Sequence, residues 1–275
     1  MKITVLVDNS TLIDRYFQAE PGLSFLIEDD STHILFDCGY SDLFLRNVRR
    51  MDLKLTDLDY VVLSHGHLDH SWGLTALIRF MTEERLEGRS CKRPTLVTHP
   101  LALQGIVADG TEIGPLLTRE TLSRHFDLCL TAAPKKLTPR LTYLGEIPRG
   151  NDFEARSPIG QKEDGKADFL PDDSGIVYEG REGLVMITGC SHAGICNMLT
   201  HARHLTGTNC VQDIIGGLHL LDASVEVLAK TSKYLEQLQP RAIHPCHCTD
   251  LAAKIALART LPVLEVGVGL VLEFQ

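Results

Sequence analysis

The sequence predicts an α/β fold in which two β-sheets pack face to face with helices outside, a four-layer αββα sandwich. Three observations carry this. Apolar strand runs open each half of the chain, helical patterns follow them, and the first third holds hairpin-spaced strands that a single parallel sheet wound on both sides does not accommodate. The 275 residues, 44% of them hydrophobic and 23% charged, suffice for such a core.

Residues 2–7, 23–28 and 33–36 read as strands, the last two joined by a turn at 28–31. Residues 41–51 place Leu43, Phe44 and Val48 on one helical face, and 60–63 is a short β-branched run suited to a buried strand. A helical pattern at 71–81 and a strand at 95–98 follow. Residues 101–171 are less regular, with turn signals at Asp109-Gly110, Pro115 and Pro134. The stretch 149–173 is polar and rich in Gly and Pro, and reads as a long surface loop. Regular elements resume as strands at 175–178 and 184–188, a helix at 194–205, a strand at 211–215 and a helix at 223–238. The chain closes with a strand at 241–244, a helix at 249–258, and strands at 263–266 and 270–273.

The 27 basic and 36 acidic residues give a formal net charge of −9, no electrostatic footprint for nucleic acid or an acidic membrane surface. No apolar run reaches the roughly 18 residues a bilayer span needs. The first residues turn polar at Asp8 and read as a strand, not an export signal. Eight cysteines without such a signal point to free thiols in a reducing, cytoplasmic setting. The composition is compatible with a homo-oligomer.

The densest chemistry is Ser64-His65-Gly66-His67-Leu68-Asp69-His70, four metal-type ligands directly after a buried strand. Imidazole nitrogen and carboxylate oxygen suit zinc, iron and manganese, and Gly66 allows a tight turn between the histidines. In such a loop His65 and His67 can share one ion while Asp69 and His70 face a second. Three histidines and an aspartate this close are far more than a hydrogen-bonded polar loop needs.

This segment resembles the HxHxDH signature of the metallo-β-lactamase superfamily. The resemblance implies the metallo-β-lactamase form of the sandwich over residues 1–275, with a lid or insertion at about 101–173. Asp37, in Phe36-Asp37-Cys38-Gly39, matches the early aspartate that orients the metal site from behind the ligands. His192, in Gly189-Cys190-Ser191-His192-Ala193-Gly194, matches the ligand that completes the first metal position, and His247 the last ligand, on the second. His244 also ends a strand run and competes with His247. Val7-Asp8-Asn9, Gly22-Leu23-Ser24, Gly216-Gly217-Leu218-His219-Leu220 and His247-Cys248-Thr249 extend the resemblance to a subgroup named for archaeal ribofuranosylaminobenzene-phosphate and dihydropterin-related synthases.

The chain departs from the superfamily where a metal-bridging aspartate is expected. The strand at 211–215 runs into Gly216-Gly217-Leu218-His219, with no aspartate at its end. His219 is expected to face the metals in its place, although one imidazole cannot bridge two cations as a carboxylate does. Cys190, two residues before His192, could approach an ion as a thiolate, a catalytic Cys/His pair being the corresponding rival. If 246–248 is extended, alternation puts Cys246 and Cys248 on the side opposite His247, in the core. Asn9, Glu20 and Arg149 lie in loops that would border the cleft and bind substrate, and Trp72 packs under the metal loop.

The resemblance implies a hydrolase holding one or two ions, zinc by default with iron or manganese as alternatives. Metal-bound hydroxide would attack an ester, phosphoester, lactone or amide of a small molecule, with Asp69 and His67 as the catalytic residues. One alternative is a synthase or transferase taking an anionic pterin- or phosphoribosyl-like substrate. The other is a metal-binding sensor or interaction protein with little turnover.

Overall fold

The computed structural model describes residues 1–162 and 164–275. The first main sheet runs, edge to edge, through Val271–Glu273, Lys2–Val7, Ser24–Asp29, Thr32–Phe36, Tyr60–Val62, Thr95–Thr98 and Asp127–Leu130. Its first four strands pair antiparallel and the rest parallel. The second runs through Ala242–Cys246, Val211–Gly217, Gly183–Thr188, Gly175–Gly180, Leu141–Tyr143 and Lys135–Lys136.

Period-2 alternation assigns each strand residue to a layer. Ile3, Val5, Phe25, Ile27, Ile34 and Phe36 of the first sheet meet Tyr143, Ile176, Tyr178, Val185, Ile187 and Ile215 of the second in one buried cluster. The opposite face of the first sheet (Leu6, Leu26, Leu35, Val61, Leu96) packs on Phe44 and Val48 of the helix Leu43–Arg50 and on Leu74, Leu77 and Met81 of Leu74–Leu86. The outer face of the second sheet (Val177, Leu184, Met186, Ile214, Ile243) packs on Met198 and Leu199 of Ile195–Thr206, Leu235 of Val225–Leu238 and Leu257 of Leu251–Leu257. Helix, sheet, sheet and helix are therefore the four layers, as the sequence predicts.

Three details differ from the sequence reading. No strand forms at 263–266 among the described residues. Val263 makes a single bridge to Ile243, and the chain then crosses to the first sheet, where the Val268 N–H reaches the Ser10 carbonyl at 2.9 Å. A segment passing between sheets cannot stay paired with either.

The region 101–173 also divides. Asp127–Leu130 and Leu141–Tyr143 belong to the main sheets, whereas Ile106–Ala108, Thr111–Glu112 and Gln161–Lys162 form a small third sheet. Asp109 and Gly110 turn its hairpin with φ of 49° and 76°, the left-handed pair that an Asp-Gly sequence favours. Finally, the end of the stretch read as a surface loop is buried, with Asp172, Asp173 and Ser174 at most 2% exposed. No helix among the described residues is long and apolar enough to cross a membrane.

Candidate metal centre

The polar loops converge at one end of the two sheets. Strands Thr32–Phe36, Gly183–Thr188 and Ala242–Cys246 run into Asp37, Cys190–His192 and His247; Tyr60–Val62 runs into the His65–His70 loop, and Val211–Gly217 into His219. Asp37, Ser191, His219 and His247 have left-handed φ of 55°, 62°, 50° and 52°. Such non-glycine conformations cost on the order of 1 kcal/mol or more and cluster at functional sites. Each redirects the chain just as it leaves the sheet, so strand alternation does not carry over to the loop. Gly66 is required sterically, since a Cβ there would stand 2.4 Å from the Ala102 carbonyl oxygen.

Asp37 organises the loop histidines. Its Oδ1 accepts the Ser64 N–H and its Oδ2 the Ser64 hydroxyl, both at 2.7 Å. The same Oδ2 lies 2.7 Å from His70 Nδ1, and Ser64 Oγ lies 2.9 Å from His65 Nδ1. Because the serine proton is committed to Asp37, His65 donates from Nδ1 to Ser64, and His70 donates from Nδ1 to Asp37. His247 Nδ1 lies 3.1 Å from Asn9 Oδ1 and donates to it. Three imidazoles are thus anchored at Nδ1 with Nε2 turned toward the centre, the arrangement that prepares a histidine for an ion.

Those Nε2 atoms crowd one space. His65 Nε2 is 3.2 Å from His192 Nε2, and His70 Nε2 is 3.1 Å from His247 Nε2 and 3.1 Å from Cys190 Sγ. Two groups of ligand atoms result, each within 4.8 Å throughout: His65, Cys190 and His192, and His70, Cys190 and His247. Asp69 Oδ2 reaches within 3.3 Å of His247 Nε2. The His67 ring stands 4.6 Å from that of His65 and 4.8 Å from that of His192, and its buried Nε2 has no partner. Nitrogens held about 3 Å apart need a shared proton or a cation between them, and this nitrogen, sulfur and carboxylate set fits a borderline transition ion.

Protonation follows the same geometry. Burial, reinforced by the neighbouring imidazoles, holds His65 and His192 well below the usual histidine range. Burial also holds His67 at about 4, despite the Asp69 carboxylate. Burial works against His70 as a cation, but Asp69 and Asp37 outweigh it and push its pKa up to about 9. The Asp69 carboxyl, next to His70 and His247, is held below its ordinary range although burial opposes this.

Not every expected residue joins this group. His219 stacks on His192 at 4.3 Å between ring centres and lines the cavity, but it belongs to neither ligand group. His244 lies 2.8 Å from Asp213, and this buried pair turns it away from the centre. Glu20 does not line the cavity: its oxygens take the Tyr40 and Ser41 N–H groups and the Ser41 hydroxyl, so it braces that loop instead of offering a free carboxylate. Arg149 is likewise absent from the lining, its guanidinium bound to the carbonyls of Phe169 and Leu170. Asn9 lines the cavity, but its side-chain oxygen serves His247. Trp72 donates from Nε1 to the Gly114 carbonyl at 2.7 Å and stacks on Tyr40.

The cysteines also separate. Cys246 lies in the core between the sheets, whereas Cys248 lines the cavity, because the strand ends at Cys246 and His247 is left-handed. Asp172 and Asp173 escaped the sequence reading altogether. Asp172 accepts the Gly66 N–H at 3.0 Å and Asp173 the Ala193 N–H at 2.8 Å, so two buried carboxylates brace two ligand loops. Burial raises their pKa values to about 6 and about 7. Only the polar run Asp172-Asp173-Ser174 before a strand hinted at them, and it resembles an ordinary turn.

The cavity above the histidines has a volume of about 910 Å³. Tyr40, Leu68, Ile113, Ile159, Leu221 and Leu251 make its walls largely apolar. Lys254 is the only lysine or arginine lining it among the described residues.

The family model described as the metallo-β-lactamase superfamily matches residues 18–79, which include the His65–His70 loop. The chain is 31% identical to the 7,8-dihydropterin-6-methyl-4-(β-D-ribofuranosyl)-aminobenzene-5′-phosphate synthase of Methanocaldococcus jannaschii, over 92% of this chain and 89% of that protein. It is 32% identical to an uncharacterized protein of the same organism, over 94% of each. A crystal structure of a metal-dependent hydrolase of the β-lactamase superfamily superposes with a TM-score of 0.83 at 29% identity, covering 99% of this chain and 98% of that one. With sequence likeness across nearly its whole length and the same architecture, this chain belongs to the metallo-β-lactamase superfamily.

Proposed function

We propose that the chain is a metal-dependent hydrolase of a small-molecule substrate, with an ion position on each side of Cys190. The observation that carries this reading is the pair of opposed imidazole contacts, His65 with His192 and His70 with His247, at the floor of a large cavity. His65, His67 and His192 would hold the first ion, and Asp69, His70 and His247 the second. The donor set suits zinc, with iron or manganese as alternatives. Ions bound there would polarise the scissile ester, phosphoester, lactone or amide group and lower the pKa of a coordinated water toward neutrality.

The chain's own residues supply the rest. Asp37, Ser64 and Asn9 fix the ring orientation of His65, His70 and His247 through Nδ1. Asp69, ionised at neutral pH and 24% exposed at its side chain, holds the proton of the attacking group in a hydrogen bond to Oδ2. The apolar walls exclude water around the body of the substrate, and Lys254 receives an anionic part of it.

The identity to the M. jannaschii synthase favours a second reading, a synthase or transferase acting on an anionic pterin- or phosphoribosyl-like substrate. A panel of chromogenic esters, phosphodiesters and lactones, run beside a pterin condensation assay on metal-loaded protein, separates the two. Hydrolysis lost in His65→Ala and Asp69→Asn supports the first reading. Condensation without hydrolysis establishes the second. Metal uptake with neither activity contradicts both enzymatic readings and leaves a metal-binding sensor.

A further inference from the structure

We propose that Cys190 supplies a thiolate shared by both halves of the centre, the ligand that joins the His65–His192 side to the His70–His247 side. This rests on the two-ion reading above. Cys190 is the one residue, among those described, that belongs to both groups of ligand atoms. Its sulfur lies 3.1 Å from His70 Nε2, and the residue is 4% exposed.

The local backbone explains the placement. Ser191 is left-handed and its hydroxyl donates to the Gly217 carbonyl at 2.7 Å, so Cys190 and His192, on either side of this kink, both line the same cavity. The neighbouring strand end is closed to side chains. A Cβ on Gly216 would stand 2.1 Å from the Thr188 carbonyl oxygen, and one on Gly217 would stand 2.5 Å from the Gly189 carbonyl oxygen and 2.6 Å from Cys248 Sγ. No carboxylate can enter from there, and His219 beyond it lies in neither ligand group. The buried, partnerless Nε2 of His67 independently marks the space as shaped for a ligand.

Sulfur also suits the task chemically. A thiolate has lone pairs for two cations, whereas an imidazole nitrogen has one. On binding, the S–H bond breaks, the sulfur bonds to the two ions, and the proton passes to solvent, with no change of oxidation state.

The test is a cobalt(II) titration of the metal-stripped full chain under reducing conditions, followed by absorption. The expected result is a near-ultraviolet sulfur-to-cobalt band that grows over both the first and the second equivalent. It should vanish in Cys190→Ala and persist in Cys248→Ala. Visible cobalt bands without the sulfur band would overturn the proposal while leaving the histidine site standing. A sulfur band confined to one equivalent, or one lost in Cys248→Ala and kept in Cys190→Ala, would equally overturn it. Absence of cobalt uptake would remove the two-ion reading itself. Should Cys190→Ala fail to fold by circular dichroism, the wild-type titration and Cys248→Ala still decide.

Discussion

Asp37 grips Ser64 with both carboxylate oxygens, one on the backbone N–H and one on the hydroxyl, each at 2.7 Å. Through that serine it orients His65, and directly it orients His70, so one buried carboxylate sets two imidazoles on opposite sides of the proposed centre. Asp37→Ala frees both rings. Loss of such an orienting partner typically costs 10–100-fold in metal affinity, and the expected drop is at the upper end of that range because two ligands are affected. Competitive titration with a chromophoric chelator measures it. Ser64→Ala, which spares the Asp37–His70 contact, should cost less.

Metal binding should release protons. His70, with its pKa raised to about 9, is cationic in the metal-free protein at neutral pH and must lose the Nε2 proton to act as a ligand. His65, His67 and His192 are already neutral there, since their pKa values are lowered. Affinity therefore rises with pH up to about 9 and then levels off. Calorimetry in buffers of different ionisation enthalpy should report net proton release at pH 7, and His70→Ala should reduce it.

Asp173 gives a stability prediction. Its folded pKa of about 7 lies above the ordinary value of 3.8, so the folded state holds the proton more tightly than the unfolded chain. The resulting penalty is absent below about pH 4, grows through the window up to 7, and is complete above it. Asp173→Asn should raise the stability of the metal-stripped protein at pH 8 by on the order of 2 kcal/mol and leave it nearly unchanged at pH 4. Urea denaturation at the two pH values checks this.

Arg149 and Glu20 act on loops and not in the cavity. Arg149→Ala is expected to loosen the Phe169–Leu170 segment and leave KM within about threefold, a change of well under 1 kcal/mol. Lys254→Ala, in contrast, should raise KM for an anionic substrate about tenfold, with kcat little changed. Steady-state kinetics on one anionic and one neutral ester distinguishes them.

The architecture was legible because strand alternation is a local property. Ile3, Val5, Phe25 and Ile27 announce one buried face, and Phe44 with Val48 announces a helix resting on the other. The cluster in the His65–His70 loop was legible because its histidines and aspartate are adjacent in the chain. The remainder depends on backbone turns that residue type does not encode. Left-handed φ at His247 decides that Cys248 enters the cavity and escapes the core, against simple alternation. Asp172 and Asp173 were missed because their partners, Gly66 and Ala193, offer only backbone N–H groups, which leave no trace in a sequence. Glu20 and Arg149 illustrate a related point: polar loop residues facing a cleft and polar residues bracing a loop look alike until their partners are known.

The central claim is that loop tips distant in the chain converge to hold transition ions. Elemental analysis of protein purified without added metal, alongside His65→Ala and His67→Ala prepared identically, tests it most directly. About two transition-metal ions per wild-type chain and a sharp loss in both variants are expected, with the fold retained by circular dichroism. Equal metal content in wild type and both folded variants would contradict it.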